Sequence, residues 1–204
     1  YPTQDTFAYE GAASEKFTIG APQVDKSTVA LWHLDETSSG ATDIKDATAN
    51  ANNSASVTGT TVVNGFYGKA RNFNGSSDYI EVTDSNSLDL TTGATVEAWV
   101  KVNGAAGSAY TIVSKHSGSG KSGYILFRHT DNKYYFQGGD GTTWASLSVV
   151  STNTYTDTNW HYIVGTFDGT NGNLYIDGVL AATSDTSAAF ATNTINLNIG
   201  KDVN

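Results

Sequence analysis

Apolar and polar residues alternate almost one for one along several short stretches, most clearly at Thr95-Val96-Glu97-Ala98-Trp99-Val100-Lys101-Val102. Trp160–Gly169 follows, then Leu174–Leu180 with an Asp177-Gly178 pair inside it. A period of two puts alternate side chains on one face, the mark of a half-buried strand, and Asp-Gly between two such runs marks a tight hairpin. Further β-prone runs lie at Thr28–Leu34, Ala70–Phe73, Tyr79–Val82, Tyr110–Ser114, Tyr124–Arg128, Lys133–Phe136, Trp144–Val150 and Ile195–Ile199. Turns such as Asn74-Gly75-Ser76-Ser77 and Asn171-Gly172-Asn173 separate them. Short strands without a helical period predict an all-β, two-sheet antiparallel sandwich of the jelly-roll kind.

Two regions break the pattern. Asp35–Thr61 is polar and predicts a large ordered loop. Residues 1–24 hold two β-prone pieces, Thr6–Tyr9 and Lys16–Ile19, and both prolines of the chain. The organisation expected is an N-terminal arm over 1–24 and a jelly-roll body over 25–204.

Composition narrows the chemistry. At 204 residues an ordinary core is within reach of a single domain, and the absence of cysteine excludes disulfides and thiolate metal sites. A net charge of −9 argues against a phosphate backbone as partner, so no nucleic acid is expected. No apolar run approaches the ~20 residues needed to span a bilayer. The chain begins with neither a signal peptide nor an initiator Met, which reads as a processed or excised product.

Glycoside hydrolysis needs paired carboxylates, and Glu81 and Glu97 each stand alone on their strands. His33, His116, His129 and His161 are scattered, with no Gly-x-Ser-x-Gly elbow. Gly118–Gly123 matches Gly-x-Gly-x-x-Gly but lies between strands, where no helix N-terminus meets a phosphate. The expectation is a non-catalytic chain. Asp35, Asp46 and Asp78, with oxygens near Asn50 and Asn53, offer hard donors of the kind calcium takes; the alternative is that they cap their own turns. Tyr110, Tyr135, Trp144 and Tyr155, in or beside loops, are candidates for stacking on sugars, or else core or rim packing.

Taken together, Ala30–Glu36, Asp46–Asn53, Gly65–Ala70, Phe73–Val82, Val96–Val100, Trp160–Tyr162, Thr166–Gly169, Leu174–Gly178 and Ile199-Gly200 resemble the laminin-G-like, concanavalin A-like jelly rolls of prokaryotic surface proteins. The resemblance implies an extracellular, non-catalytic module that binds glycans or proteins, often with a structural calcium. The glucanases of this fold carry a Glu-x-Asp-x-Glu strand, absent here. Ala49, Ala51 and Ser54 stand where relatives usually have glycine, which weighs against a tight calcium loop. Relatives also run on beyond the Ile-Gly strand into one more strand, whereas this sequence ends at Asn204. The expectation is a sandwich lacking its closing strand. Each orphaned buried backbone group would cost on the order of 1–3 kcal/mol. The arm, with Phe7, Tyr9, Phe17 and Ile19, is the spare β-prone material, able to complete its own body or that of a second copy head to tail.

Overall fold

The computed structural model describes residues 24–117, 121–143, 145–185 and 189–202, together with the backbone of Thr6–Phe7 and Phe17–Thr18. Those two dipeptides, β1 and β2, pair antiparallel with each other, Thr6 opposite Thr18 and Phe7 opposite Phe17. Tyr9 and Ile19 lie outside the described residues.

The body is built from β3 (Ser54–Thr58), β4 (Thr61–Asn64), β5 (Lys69–Asn72), β6 (Tyr79–Val82), β7 (Ala94–Lys101), β8 (Tyr110–Ser117), β9 (Ser122–Arg128), β10 (Tyr134–Asp140), β11 (Leu147–Val150), β12 (Trp160–Phe167), β13 (Asn171–Ile176), β14 (Val179–Asp185) and β15 (Leu197–Ile199). Seven form one sheet, ordered β11-β10-β9-β8-β15-β6-β3. Four form the facing sheet, ordered β14-β13-β12-β7, and β4-β5 is a separate ribbon. The two-sheet antiparallel sandwich expected from the alternation is present.

The alternation sets the core. Val96 of β7, Leu126 of β9, Phe136 of β10, Ile163 of β12 and Leu174 of β13 all point between the sheets and meet in one buried cluster with Phe190. Because the second sheet has four strands against seven, it leaves the β6 and β15 end of the larger sheet to be covered by loops. There Ile44, Ile80, Val82, Leu88, Leu197 and Ile199 form a second cluster, with Ala30, Trp32 and Leu34 packed on it. The Asp177-Gly178 hairpin is as expected: both residues have positive φ, 54° and 79°, as a two-residue turn of this hand requires.

Two expectations fail. Thr28–Leu34 keeps a strand's alternation of contacts but is not a strand; its ladder is the single bridge Trp32–Asp46. Period two needs a neighbour to become a ladder, and no named strand flanks this segment among the described residues. Conversely, Ser54–Thr58, read as loop, is a strand at the edge of the larger sheet. An edge strand half open to water needs few apolar residues, so its Ser and Thr content hid it.

Candidate binding cleft and strand edge

Three strand ends converge at one end of the seven-stranded sheet. The loop before β6, the start of β8 and the residues after β15 line a cleft of about 210 Å³ with Gly75, Ser76, Tyr110, Thr111, Lys201 and Asp202. Asn74 makes the floor rigid: its Oδ1 accepts from the backbone N–H of Ser76 at 2.9 Å, Ser77 at 2.9 Å and Asp78 at 3.2 Å. Gly75, at φ 71°, lets the Tyr110 ring approach the turn, since a Cβ there would lie 3.0 Å from the ring. On the far wall, the Lys201 ammonium sits 3.7 Å from the centre of the Tyr79 ring and 3.8 Å from Glu81. Asp202 accepts from Ser114 Oγ at 3.2 Å and faces His116 Nδ1 at 3.1 Å. The cleft thus offers an aromatic ring with a cation and an anion beside it.

The other predicted aromatics lie elsewhere. Tyr135 stacks on Phe127 on the outer face of β9 and β10, ring centres 5.0 Å apart. Its hydroxyl donates to Asp131 at 2.8 Å, and burial, then that bond, pushes the phenol's pKa up. Tyr155 packs on Tyr134 and on the edge of His161, at 5.3 Å from each. Arg128, buried, donates to the Tyr155 carbonyl at 2.6 Å. Trp144 lies outside the described residues. Of the three predicted aromatics that are described, only Tyr110 lines the cleft; Lys201 and Asp202 carried no sequence signal, being single charges in a terminal stretch.

Of the predicted calcium donors, Asp46, Asn50, Asn53 and Asp78 are engaged in the hydrogen bonds of their own loops. Asp46 is buried, and its carboxylate accepts from the N–H of Leu31 at 3.0 Å, Thr48 at 2.9 Å and Asn52 at 2.9 Å, and from Thr48 Oγ1 at 2.7 Å. Asn53 Oδ1 accepts from the Asp46 N–H at 3.0 Å, and Asn50 Nδ2 donates to Val29 O at 2.8 Å. Asp78 accepts from the Asn74 N–H at 3.0 Å, and Asp35 is exposed. Among the described residues no three acidic or histidine side chains cluster to hold a metal. As the Asp46 carboxylate is arranged, a cation there would meet N–H groups in place of oxygens. These residues cap their own loop, the other alternative open from sequence.

The edge of the smaller sheet is the second feature. β7 pairs with β12 along all eight residues without a register shift, Lys101 opposite Trp160 through Ala94 opposite Phe167. Its other flank carries no strand among the described residues. Outside the sheet, Trp99 of β7 stacks with Phe66, at 3.9 Å and 10° from parallel, and with Tyr162, at 5.2 Å. Phe66 and Val63 of the β4–β5 ribbon remain exposed. Burial and the neighbouring Glu97 push the Tyr162 phenol up. Both neighbours stack on Trp99, so its ring is engaged in packing.

Comparison with known proteins agrees on the fold. The concanavalin A-like lectin/glucanases family matches residues 74–204. The binding domain of paraclostridial mosquitocidal protein 1 is similar at 18% identity, with a TM-score of 0.63, covering 77% of this chain and 41% of that one. Domain 4 of a GH43 extracellular arabinanase from Geobacillus stearothermophilus, solved with arabinotriose, is similar at 16% identity and a TM-score of 0.56, covering 76% of each chain. An S-layer domain-containing protein from Clostridium thermocellum reaches 23% identity and a TM-score of 0.51, over 78% of this chain and 73% of that one. The chain spans about two fifths of the length of the mosquitocidal protein and botulinum neurotoxin DC binding domains it matches. No curated protein matches. At these identities the structural likeness is one of fold alone, but the family match covers more than half of the residues. The chain belongs to the concanavalin A-like lectin/glucanases superfamily.

Proposed function

We propose that this chain is a non-catalytic module of an extracellular surface protein, structural and adhesive in role, that accepts an added β-strand along β7. The observation that carries the reading is that, among the described residues, no strand pairs with the outer flank of β7. Long, straight edge strands are ordinarily blunted by bulges, proline or short length, because unpaired N–H and C=O groups recruit other strands. β7 has eight residues, no proline and no bulge against β12. The strand that fits is the arm of a second copy: residues 1–20 carry β-prone segments around Phe7, Tyr9, Phe17 and Ile19, and among the described residues β1 and β2 pair with each other and with no strand of the body. Donation from copy to copy does not close on itself and yields a filament. Deleting residues 1–20 should leave monomers of lower melting temperature in sedimentation and calorimetry. A stable monomer with and without the arm rules out assembly.

A second reading is favoured by the Tyr110 cleft: binding of a surface glycan. A ring face for the apolar side of a sugar, with Lys201, Asp202 and Ser76 for its hydroxyls, is the usual composition of a carbohydrate subsite. The arabinanase domain solved with arabinotriose supports this class of ligand. A glycan array with the intact chain and Tyr110→Ala tests it; equal, flat profiles remove it.

A further inference from the structure

Lys115 of β8 is 1% exposed, and its surroundings hold more than a counter-ion. Nζ meets Asp84 Oδ1 at 2.7 Å and Asp89 Oδ1 at 3.1 Å. It also lies 3.0 Å from the Asn193 carbonyl, 3.2 Å from the Ile195 carbonyl and 3.4 Å from Oδ1 of the Asn193 side chain. The Asn193 carboxamide is fixed at both ends. Its Oδ1 accepts from the Ile195 N–H at 3.0 Å, and its Nδ2 donates to the Lys115 carbonyl at 3.4 Å. Gly123, at φ 83°, presses the group from the β9 side; a Cβ there would lie 2.5 Å from Asn193 Nδ2 and would also strike the Lys115 carbonyl.

A primary amine, a carboxamide whose oxygen is polarised by a backbone N–H, and two carboxylates are the parts of an acyl transfer. We propose that Lys115 and Asn193 join in an intramolecular amide cross-link. Asp84, the nearer carboxylate, takes one proton from the ammonium and keeps it. The freed lone pair of Nζ attacks Cγ of Asn193, the new C–N bond forms, and the C=O electron pair moves onto Oδ1, held by the Ile195 N–H. A second proton passes from the attacking nitrogen through Asp89 to Nδ2. The Cγ–Nδ2 bond breaks and ammonia leaves. One amide N–H remains on Nζ, one aspartic acid is protonated, and the net charge is unchanged. No oxidant or cofactor is consumed.

Burial and fixed orientation supply what an exposed Lys and Asn lack, since well-aligned intramolecular partners react as though at enormous concentration. The cross-link would rivet the long connection between β14 and β15 to β8. That connection already threads the sheet: Ala191 accepts from the Gly123 N–H and donates to Gly139 O, each at 2.9 Å. With no cysteine available a disulfide is closed to this chain, and an amide is a covalent staple that its residues can form.

Intact-mass spectrometry of the folded full chain tests the proposal. The expected mass is lower than that of the sequence by one ammonia, and digestion should yield a branched peptide joining positions 115 and 193. Asn193→Ala removes the electrophile and leaves the Asp84 and Asp89 ion pairs in place, so it should fold and regain the mass of its own sequence. Lys115→Arg keeps the cation without a competent nucleophile and should do the same. Full mass in the folded wild-type chain overturns the proposal, leaving an ordinary ion-paired lysine. An ammonia loss mapped to an Asn-Gly step, with both peptides linear, overturns it as well.

Discussion

His161 of β12 and Asp177 of the β13–β14 turn meet at 2.7 Å between Nδ1 and Oδ2, and the same imidazole reaches Asp157 through Nε2 at 3.2 Å. One ring thus ties the loop after β11 to the turn of the next hairpin. Asp177 also accepts from the Tyr162 N–H at 2.9 Å, so the clasp holds the backbone of β12 too.

That clasp makes stability depend on pH. Burial by itself would lower the pKa of His161, but the hydrogen bonds and charges of Asp177 and Asp157 outweigh it, and the value lies above 6.5. A folded-state pKa raised above the unfolded one means the stabilisation is complete below about 6.5 and is lost as pH rises through the folded value. The melting temperature should therefore fall as pH rises from 6.5, and His161→Gln should flatten that slope. Differential scanning fluorimetry across pH 5 to 9 checks it, at roughly constant ionic strength because Asp157 and Asp177 are half exposed. An equal slope in the variant would show that other groups titrate.

Ala51 occupies the left-handed region with φ 53°. A Cβ in that region costs about 1–2 kcal/mol. Glycine removes the strain and returns part of the gain as chain entropy, so Ala51→Gly should raise stability by about 0.5–1 kcal/mol. Urea denaturation of the two proteins measures the difference.

Asp46 should be intolerant of change. Asp46→Ala leaves the N–H groups of Leu31, Thr48 and Asn52 without their acceptor. The expected loss is on the order of 3 kcal/mol. The same geometry predicts that calcium or a chelator leaves the melting temperature of the intact chain where it is. A calcium-dependent rise would show that the loop rearranges to admit the ion.

Two core glycines leave room for aromatic rings from elsewhere in the chain. A Cβ on Gly138 of β10 would strike the Phe190 ring, and one on Gly165 of β12 would strike Phe136. Either change to alanine should destabilise by about 1–3 kcal/mol, measured by denaturation. Gly178→Ala differs in kind: nothing lies within 4 Å of its Cβ, and only its φ of 79° resists the change.

Legibility from sequence followed how strongly each segment declared a face. β7, β12 and β13 were legible as strands because their sequences alternate, and Val96, Ile163 and Leu174, on one side of that alternation, lie in the core. Ser54–Thr58 was illegible because an edge strand buries little. Thr28–Leu34 was misread because alternation states which way side chains point and not whether a neighbour exists to pair with.

The site divides in the same way. Sequence alone determined that this is an all-β chain without thiol chemistry, with aromatics and acids in its turns, since those properties are set residue by residue. Only the tertiary structure brought Ser76, Tyr110 and Lys201 to one cleft, filled the Asp46 carboxylate with backbone N–H groups, and set Lys115 beside Asn193. Those positions are 78 residues apart in the last pair, and such meetings depend on which strands lie side by side, a matter settled by packing the two sheets and not by any local pattern.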